Sequence, residues 1–419
     1  MIRGMTELIH DVDLADPQTF HSDLTDFWER LREHDPVAWH PPRGDNPGFW
    51  VVSRHADIMA VYRDNVHFTS ERGNLLVTLL AGGDSAAGQM LAVTDGHRHR
   101  ELRKIMLTAF SPRALERIAE RVRENTRRLV AEAVERGTCD FAEDIASHIP
   151  MGTIAELLGV PASDREFLLS LTKAALSSDA EDAGEVDALM ARNEILLYFG
   201  ELVEQRRASP GDDVISVLAG GEIDGRSLTE DEMVLNCYSL IIGGDETSRL
   251  SMIDAVRTLA GHPAQWQLLR DGDVGLGTAA EEILRWSTPA MHFGRTCLSD
   301  TEVGGVRIAA GDIVTLWHSS GNRDASVFED PYAFTLGRTP NKHITFGYGP
   351  HFCLGAYLGR VEVSELLSAL RTFSRGFEVA GAARRIHSNF LTGFSSLPVR
   401  FEPDPAGLAH YHETRGARV

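Results

Sequence analysis

His343-Ile344-Thr345-Phe346-Gly347-Tyr348-Gly349-Pro350-His351-Phe352-Cys353-Leu354-Gly355-Ala356 is the stretch on which the fold turns. From His343 to Gly359 the chain carries no Asp, Glu, Lys or Arg. A membrane-spanning helix needs about 20 mostly apolar residues, and the glycines and Pro350 rule that out here. The segment reads as a glycine-rich loop running into a helix, because Leu354, Leu358, Val361, Leu366, Leu367 and Leu370 keep a helical beat. That places Cys353 at a helix N-terminus, where the macrodipole favours a thiolate. Gly347 and Gly349 allow a tight turn with positive φ and close backbone approach to the sulfur. Backbone N–H groups aimed at a metal-bound sulfur tune the metal. A metal-ligating thiolate competes with an inert buried cysteine and with a phosphate-binding turn. The fixed offsets of Phe346, Gly347, Gly349, His351 and Gly355 around the cysteine favour the thiolate ligand.

The 419 residues carry 41 Lys+Arg against 61 Asp+Glu, a net charge of −20. With 43% hydrophobic and 24% charged residues, disorder and collagen are excluded. The acidic balance argues against nucleic-acid and anionic-membrane binding. Cys139, Cys237, Cys297 and Cys353 follow no CxxC spacing, so neither a disulfide framework nor a zinc site is expected, and a reducing compartment is. The opening MIRGMTELIHDVDLADP has no apolar h-region and does not read as a signal peptide. A cytoplasmic protein without membrane attachment is expected.

Residues 112–136 space apolar side chains as an amphipathic helix, and 185–207 read similarly. Residues 229–260 open with Thr229 and Glu232 at capping-box spacing and continue as a long, unusually apolar helix. Helices are also predicted at 277–286 and 354–373, and strands at 50–53, 301–308, 312–317 and 397–403. No composition break divides the chain, so one domain over 1–419 is expected, mainly α with small β-sheets.

The loop resembles the haem-binding signature of the cytochrome P450 family, Phe-Gly-x-Gly-x-His-x-Cys-x-Gly, at every specified position. The resemblance extends from WVVSRHADI through LLGVP to the final LPVRFEP and implies the P450 fold and haem b. It makes Cys353 the proximal iron ligand and His351 a propionate partner, with Phe346, Gly347, Gly349 and Gly355 forming the cofactor loop. Glu282 and Arg285, three apart on one helix face, resemble the family's ExxR, which pairs with a second arginine matched by Arg338. That triad is structural. Arg295 resembles the arginine that binds one propionate. His99 and Arg103, at i and i+4, resemble the pair that holds the other. Upstream of them, Asp95-Gly96-His97-Arg98 departs from the family's common Asp-Pro-Pro-Glu, and His97 competes with His99 for the role.

Gly243-Gly244-Asp245-Glu246-Thr247 interrupts the long helix with two glycines, each costing about 1 kcal/mol relative to alanine. Either a close helix crossing or a groove widened for dioxygen explains them. An acid and a hydroxyl together supply protons and position them. The string resembles the family's oxygen-activation motif, which implies that Glu246 belongs to a proton relay and that Thr247 orients the reacting oxygen. Asp245 has no role in that pattern. The implied activity is monooxygenation of a small organic molecule, with electrons from a separate ferredoxin and ferredoxin reductase. The basic residues His97, Arg98, Arg100, Arg103, Lys104 and Arg360 are the expected docking surface for that donor. Ile241, Met291, His292, Phe293, Phe390 and Leu391 are the candidate pocket lining, with Ser287 and Thr392 as further polar handles. Their apolar character suits a specialised-metabolite intermediate, free or presented on a carrier protein. Oxidative coupling, desaturation, peroxide-driven oxidation and a non-catalytic recruiting role are the alternatives.

Overall fold

The computed structural model describes residues 9–176 and 185–416. Residues 1–8, part of the segment read against a signal peptide, lie outside the described residues. In chain order the helices are α1 (Thr25–His34), α2 (His55–Arg63), α3 (Leu76–Leu80), α4 (Gly96–Leu107), α5 (Pro112–Arg136), α6 (His148–Leu158), α7 (Arg165–Leu176), α8 (Glu185–Ala208), α9 (Val214–Ala219), α10 (Glu230–Gly261), α11 (Pro263–Asp271), α12 (Leu276–Ser287), α13 (His318–Gly321), α14 (Ala356–Phe373) and α15 (Pro405–Gly416). A five-stranded sheet combines β1 (Val37–His40), β2 (Phe49–Val52), β3 (Phe68–Thr69), β7 (His292–Cys297) and β10 (Ile313–Trp317) in the order β1-β2-β10-β7-β3. The short strands β4 (Thr138–Asp140), β11 (Ser374–Val379) and β14 (Pro398–Pro403) form a second sheet. The 301–308 segment is a hairpin whose Gly304 and Gly305 both take positive φ, as a tight two-residue turn requires.

The local signals explain the helix ends. Ser111 caps α5 by accepting from the Ala114 N–H, Pro112 starts it, and Gly137 at φ 78° ends it. The Thr229–Glu232 capping box is formed at the start of α10. Helix α10 runs 32 residues through the core, burying Ile241, Leu250, Met252, Ile253, Val256 and Leu259. At roughly 1.5–3 kcal/mol per fully buried aliphatic side chain, it is the main apolar spine. Helix α8 departs from the amphipathic expectation. Its Ile195, Phe199, Leu202 and Val203 are buried, yet Val186, Leu189, Met190 and Leu197 are exposed on the outer side.

The loop before Cys353 is held from beneath by a buried charge network. The Glu282 carboxylate accepts from Arg285 Nε and an Arg285 terminal nitrogen, each at 2.7 Å, with both side chains fully buried. It also accepts from Arg338 Nε at 3.1 Å, the Thr335 N–H at 3.0 Å and Asn341 Nδ2 at 3.1 Å. Arg285 in turn donates to the carbonyls of Asn322, Pro331 and Ala333. Buried Asn322 then accepts from the Ile344 N–H and donates to Thr345 Oγ1, pinning the start of the glycine loop.

Removing the anion while leaving two buried guanidiniums is costly, about 3–5 kcal/mol. Glu282→Ala should therefore abolish or severely reduce the folded fraction in denaturant titration. Glu378→Ala, which breaks the exposed Glu378–Arg400 pair, should change stability by about 1 kcal/mol or less. Equal costs for the two would contradict this hierarchy.

Candidate active site

Gly347 and Gly349 take φ of 68° and 72°, the left-handed region that the turn requires. At Gly349 a Cβ would also meet Tyr62 O at 2.7 Å, so α2 packs directly on the loop. The Cys353 N–H donates to Phe346 O at 2.9 Å, closing the turn, and the Gly355 N–H is directed at the sulfur. The helix expected to begin at 354, directly after Cys353, begins two residues later. Helix α14 starts at Ala356 with Gly355 as its cap, so the cysteine lies just upstream, and local N–H donors rather than the first helical turn surround the sulfur. The cysteine side chain is accessible, yet burial raises its thiol pKa more than Gly355, Arg103 and Arg360 lower it. The two observations agree if the sulfur looks into a recess lined by protein, not onto an open surface.

Arg103 lies within electrostatic reach of the sulfur, and imidazoles and a second guanidinium from separate elements gather with it. His99 on α4 and His351 in the loop lie with ring centroids 4.3 Å apart, tilted 40° to each other. His99 is buried, its Nε2 has no partner, and burial together with the His351 and Arg103 charges pushes its pKa down to about 4. It is a neutral imidazole with an unused ring nitrogen. Arg103 donates to Phe352 O at 2.7 Å, and Arg295 on β7 donates to Gly294 O and lies over the Tyr62 ring. These groups feel one another's charge, and Arg103 feels that of Cys353. Such a set suits a flat ligand bearing carboxylates, with two guanidiniums for the anions and an orphaned ring nitrogen as a further contact. Haem with its two propionates fits it.

The competition between His97 and His99 resolves sterically. His97 is exposed and pairs with Asp224 at 3.0 Å, whereas His99 turns inward. His351 Nε2 lies 2.7 Å from Asp95, a residue the motif reading left without a role. Burial alone would raise the Asp95 pKa, but hydrogen bonds from His351, Thr69 and Ser70 outweigh it and hold the carboxyl well below its usual range. No motif pointed to Tyr62 and His318 either, a buried pair 2.7 Å apart that supports Arg295 from below.

On α10 the two glycines do different things. A Cβ on Gly244 would press on Ile154 at 3.1 Å, so Gly244 permits the close crossing of α6. Gly243 meets nothing within 4 Å and is exposed in the middle of a buried helix. Thr247, one turn on, shares that open stripe, and its Oγ1 donates to Gly243 O at 3.1 Å. The helix runs unbroken through both positions. Glu246 turns away, held in a two-pronged ion pair with Arg249 at 2.6 and 2.9 Å, both residues buried. As a relay residue it is therefore not a free carboxylate.

Of the pocket candidates, Ile241, Met291, His292 and Leu391 are buried in apolar clusters, not on an open wall. His292 and Phe293 begin β7, which the strand reading missed. His292 lies against Trp317 at 4.3 Å. Phe293 and Phe390 keep part of their surface accessible and pack against a buried cluster of Leu250, Ala290, Ile386 and Leu391, in which Leu250 of α10 lies three residues beyond Thr247. A groove of about 590 Å³ between α5 and α6 is lined by none of these residues.

Comparison with known proteins agrees with this geometry. The family model described as Cytochrome P450 matches residues 276–398. The chain is 48% identical over 394 residues to cytochrome P450 NovI of Streptomyces niveus, covering 94% of this chain and 97% of that protein. It is 35% identical over 402 residues to linalool 8-monooxygenase of Pseudomonas putida, covering 93% and 99%. The crystal structure of P450 OxyD, involved in the biosynthesis of vancomycin-type antibiotics, superposes with a TM-score of 0.84 at 36% identity, covering 94% of this chain and all of that one. These proteins bind haem through a cysteine thiolate. Relatives of this identity, matched along nearly their whole length, place the chain in the cytochrome P450 family as one of its haem-dependent monooxygenases.

Proposed function

We propose that Cys353 is the thiolate ligand of haem b and that the enzyme oxygenates a medium-sized, mostly apolar intermediate of specialised metabolism. The observation that carries the reading is the accessible surface at Gly243 and Thr247, one turn apart in a stretch of α10 whose Ile241, Asp245, Glu246, Arg249 and Leu250 are buried. Helix α14, which begins just after Cys353, touches α10 at the next residue, with Gly359 against Ser248. When bound, the haem supplies the redox chemistry that splits dioxygen, and thiolate ligation favours O–O cleavage. The chain's own groups do the rest. Arg103, Arg295, His99 and His351 hold and orient the propionates. Open space at Gly243 leaves room for small reactants, and the Thr247 hydroxyl positions a proton donor beside it. Arg249 fixes Glu246 close by, so that acid moves a proton only through or out of its ion pair.

The substrate class is supported by the partly accessible Phe293 and Phe390, which give an aromatic wall, and by likeness to a P450 named for a part in antibiotic biosynthesis. An amino-acid-derived or polyketide-like substrate, free or on a carrier protein, fits that wall. Electrons come from a ferredoxin and its reductase. Much of the basic patch expected to dock it is already engaged, since Arg98 pairs with Glu232 and Arg360 with Glu281. Arg100 and Lys104 remain exposed for an acidic donor.

Replacing the ligand tests the reading first. Cys353→His should leave bound haem without the thiolate-type CO spectrum and without oxygenation; an unchanged spectrum would assign the ligand elsewhere. Titrating the haem spin state with aromatic amino acids, polyketide-like acids and their carrier-bound forms should give a high-spin shift. A shift with simple fatty acids or small monoterpenes alone would overturn the substrate class. Rapid-mixing reduction by an acidic ferredoxin should slow as salt rises, because screening at about 0.15 M already limits reach to ~8 Å. A rate indifferent to salt would remove Arg100 and Lys104 from docking.

A further inference from the structure

Behind the Gly243–Thr247 stripe, three carboxyls surround one guanidinium among the described residues. Asp245, Glu246 and Arg249 project from α10 and Glu362 from α14, and all four are at most 2% exposed. Glu246 and Arg249 neutralise each other. Were the other two ionised, the cluster would hold two uncompensated negative charges in low dielectric, which burial does not tolerate.

Each neighbouring hydroxyl has a single hydrogen, which limits how its two short contacts can be satisfied. Thr172 Oγ1 on α7 lies 3.1 Å from Leu169 O and 2.9 Å from Asp245 Oδ2. A hydroxyl has one hydrogen and a carbonyl has none. If Thr172 donates to Leu169 O, only a protonated Asp245 completes the second bond. Asp245 Oδ1 is buried without a partner, tolerable for the carbonyl oxygen of a neutral acid and costly for a carboxylate. The same count applies to Glu362, which bonds Ser248 and Thr153, since Thr153 Oγ1 also lies 2.9 Å from Ile149 O.

We infer that Asp245 is held as a neutral carboxylic acid, tied to α7 through Thr172, and that it is a positioning residue which does not draw Arg249 away from its two-pronged bond to Glu246. Ionised, Asp245 would compete for Arg249 and loosen Glu246 beside Thr247. Burial, with the Glu246 charge next, raises the Asp245 pKa to about 7 against the opposing effects of Thr172 and Arg249, and burial likewise raises Glu362 to about 7. The charged groups facing Asp245 are Glu246 and Arg249 on its own helix and Glu362 on α14; α7 presents the neutral Thr172. The catalytic half of the inference rests on the proposed roles of Glu246 and Thr247. The protonation half does not.

The sign of the pH effect is fixed by the raised pKa. Folded Asp245 holds a proton up to about pH 7, while the unfolded side chain loses it near 3.9. Its contribution to stability is complete below about pH 4 and is lost as pH rises to about 7, the folded-to-unfolded ratio falling about tenfold per unit in between. Denaturant titrations of the holoenzyme across pH 5 to 8.5 should show that Asp245→Asn, always neutral and able to donate to Thr172, lacks one such tenfold-per-unit slope. Asp245→Asn with Glu362→Gln should lack two. In the same proteins, peroxide released per NAD(P)H oxidised should rise severalfold above pH 7 in the wild type and stay flat in Asp245→Asn. Parallel stability curves for wild type and Asp245→Asn would overturn the neutral acid, and identical peroxide profiles would overturn its positioning role. Thr247→Ala separates the readings. Raised peroxide there with no pH rescue in Asp245→Asn defeats this inference alone, while unchanged peroxide in Thr247→Ala defeats the role proposed for Thr247.

Discussion

The Glu282 carboxylate has no contact with water, and almost everything at the cysteine loop depends on it. It accepts from both arginines of its network, one backbone N–H and one side-chain amide. Because Arg285 spends its remaining donors on the carbonyls of Asn322, Pro331 and Ala333, the anion organises the irregular chain between β10 and the loop. Such chain lacks ladder partners of its own, and its polar groups must be satisfied one at a time. Asn322 passes the constraint to Ile344 and Thr345. The position of Cys353 is thus set by a chain of hydrogen bonds that starts on α12, far from any reacting atom.

The protein treats buried charge in two ways. Around Glu282 one carboxylate is shared between two guanidiniums, and Arg285 spends all five of its N–H donors. Along α10 the described residues set three carboxyls against one guanidinium, and the inferred protonation of Asp245 would lower that excess. The first arrangement suits a scaffold. The second leaves groups near neutrality at physiological pH, which suits a place where protons are handled. Gly243 and Gly244 reflect the same division, one opening a face and the other admitting a neighbouring helix.

Much of this was legible in the sequence where chemistry is local. The α5 and α10 boundaries follow from Ser111, Gly137, Thr229 and Glu232, whose capping is a short-range effect. The positive φ of Gly347 and Gly349 and the pairing of Glu282 with Arg285 and Arg338 were also readable. What was hidden depends on distant partners. Nothing near Asp95 says that His351, over 250 residues away, will meet it. Strand β7 was missed because His292 to Cys297 mixes polar and apolar residues on a strand buried on both faces, which suppresses alternation. Glu246 read as a relay acid, since the i, i+3 spacing to Arg249 gives no hint that both would be sealed from water. Helix α8 is apolar on two sides, so periodicity found the helix but not its exposed face.

The proposed haem site puts iron on the Cys353 sulfur, with Arg103, Arg295, His351 and the neutral imidazole of His99 placed to hold the propionates. X-ray absorption at the iron edge of the purified ferric holoenzyme tests it most directly. One sulfur scatterer in the first shell, together with the porphyrin nitrogens, is the expected result. A first shell of nitrogen and oxygen alone, in folded and haem-replete protein, would contradict it.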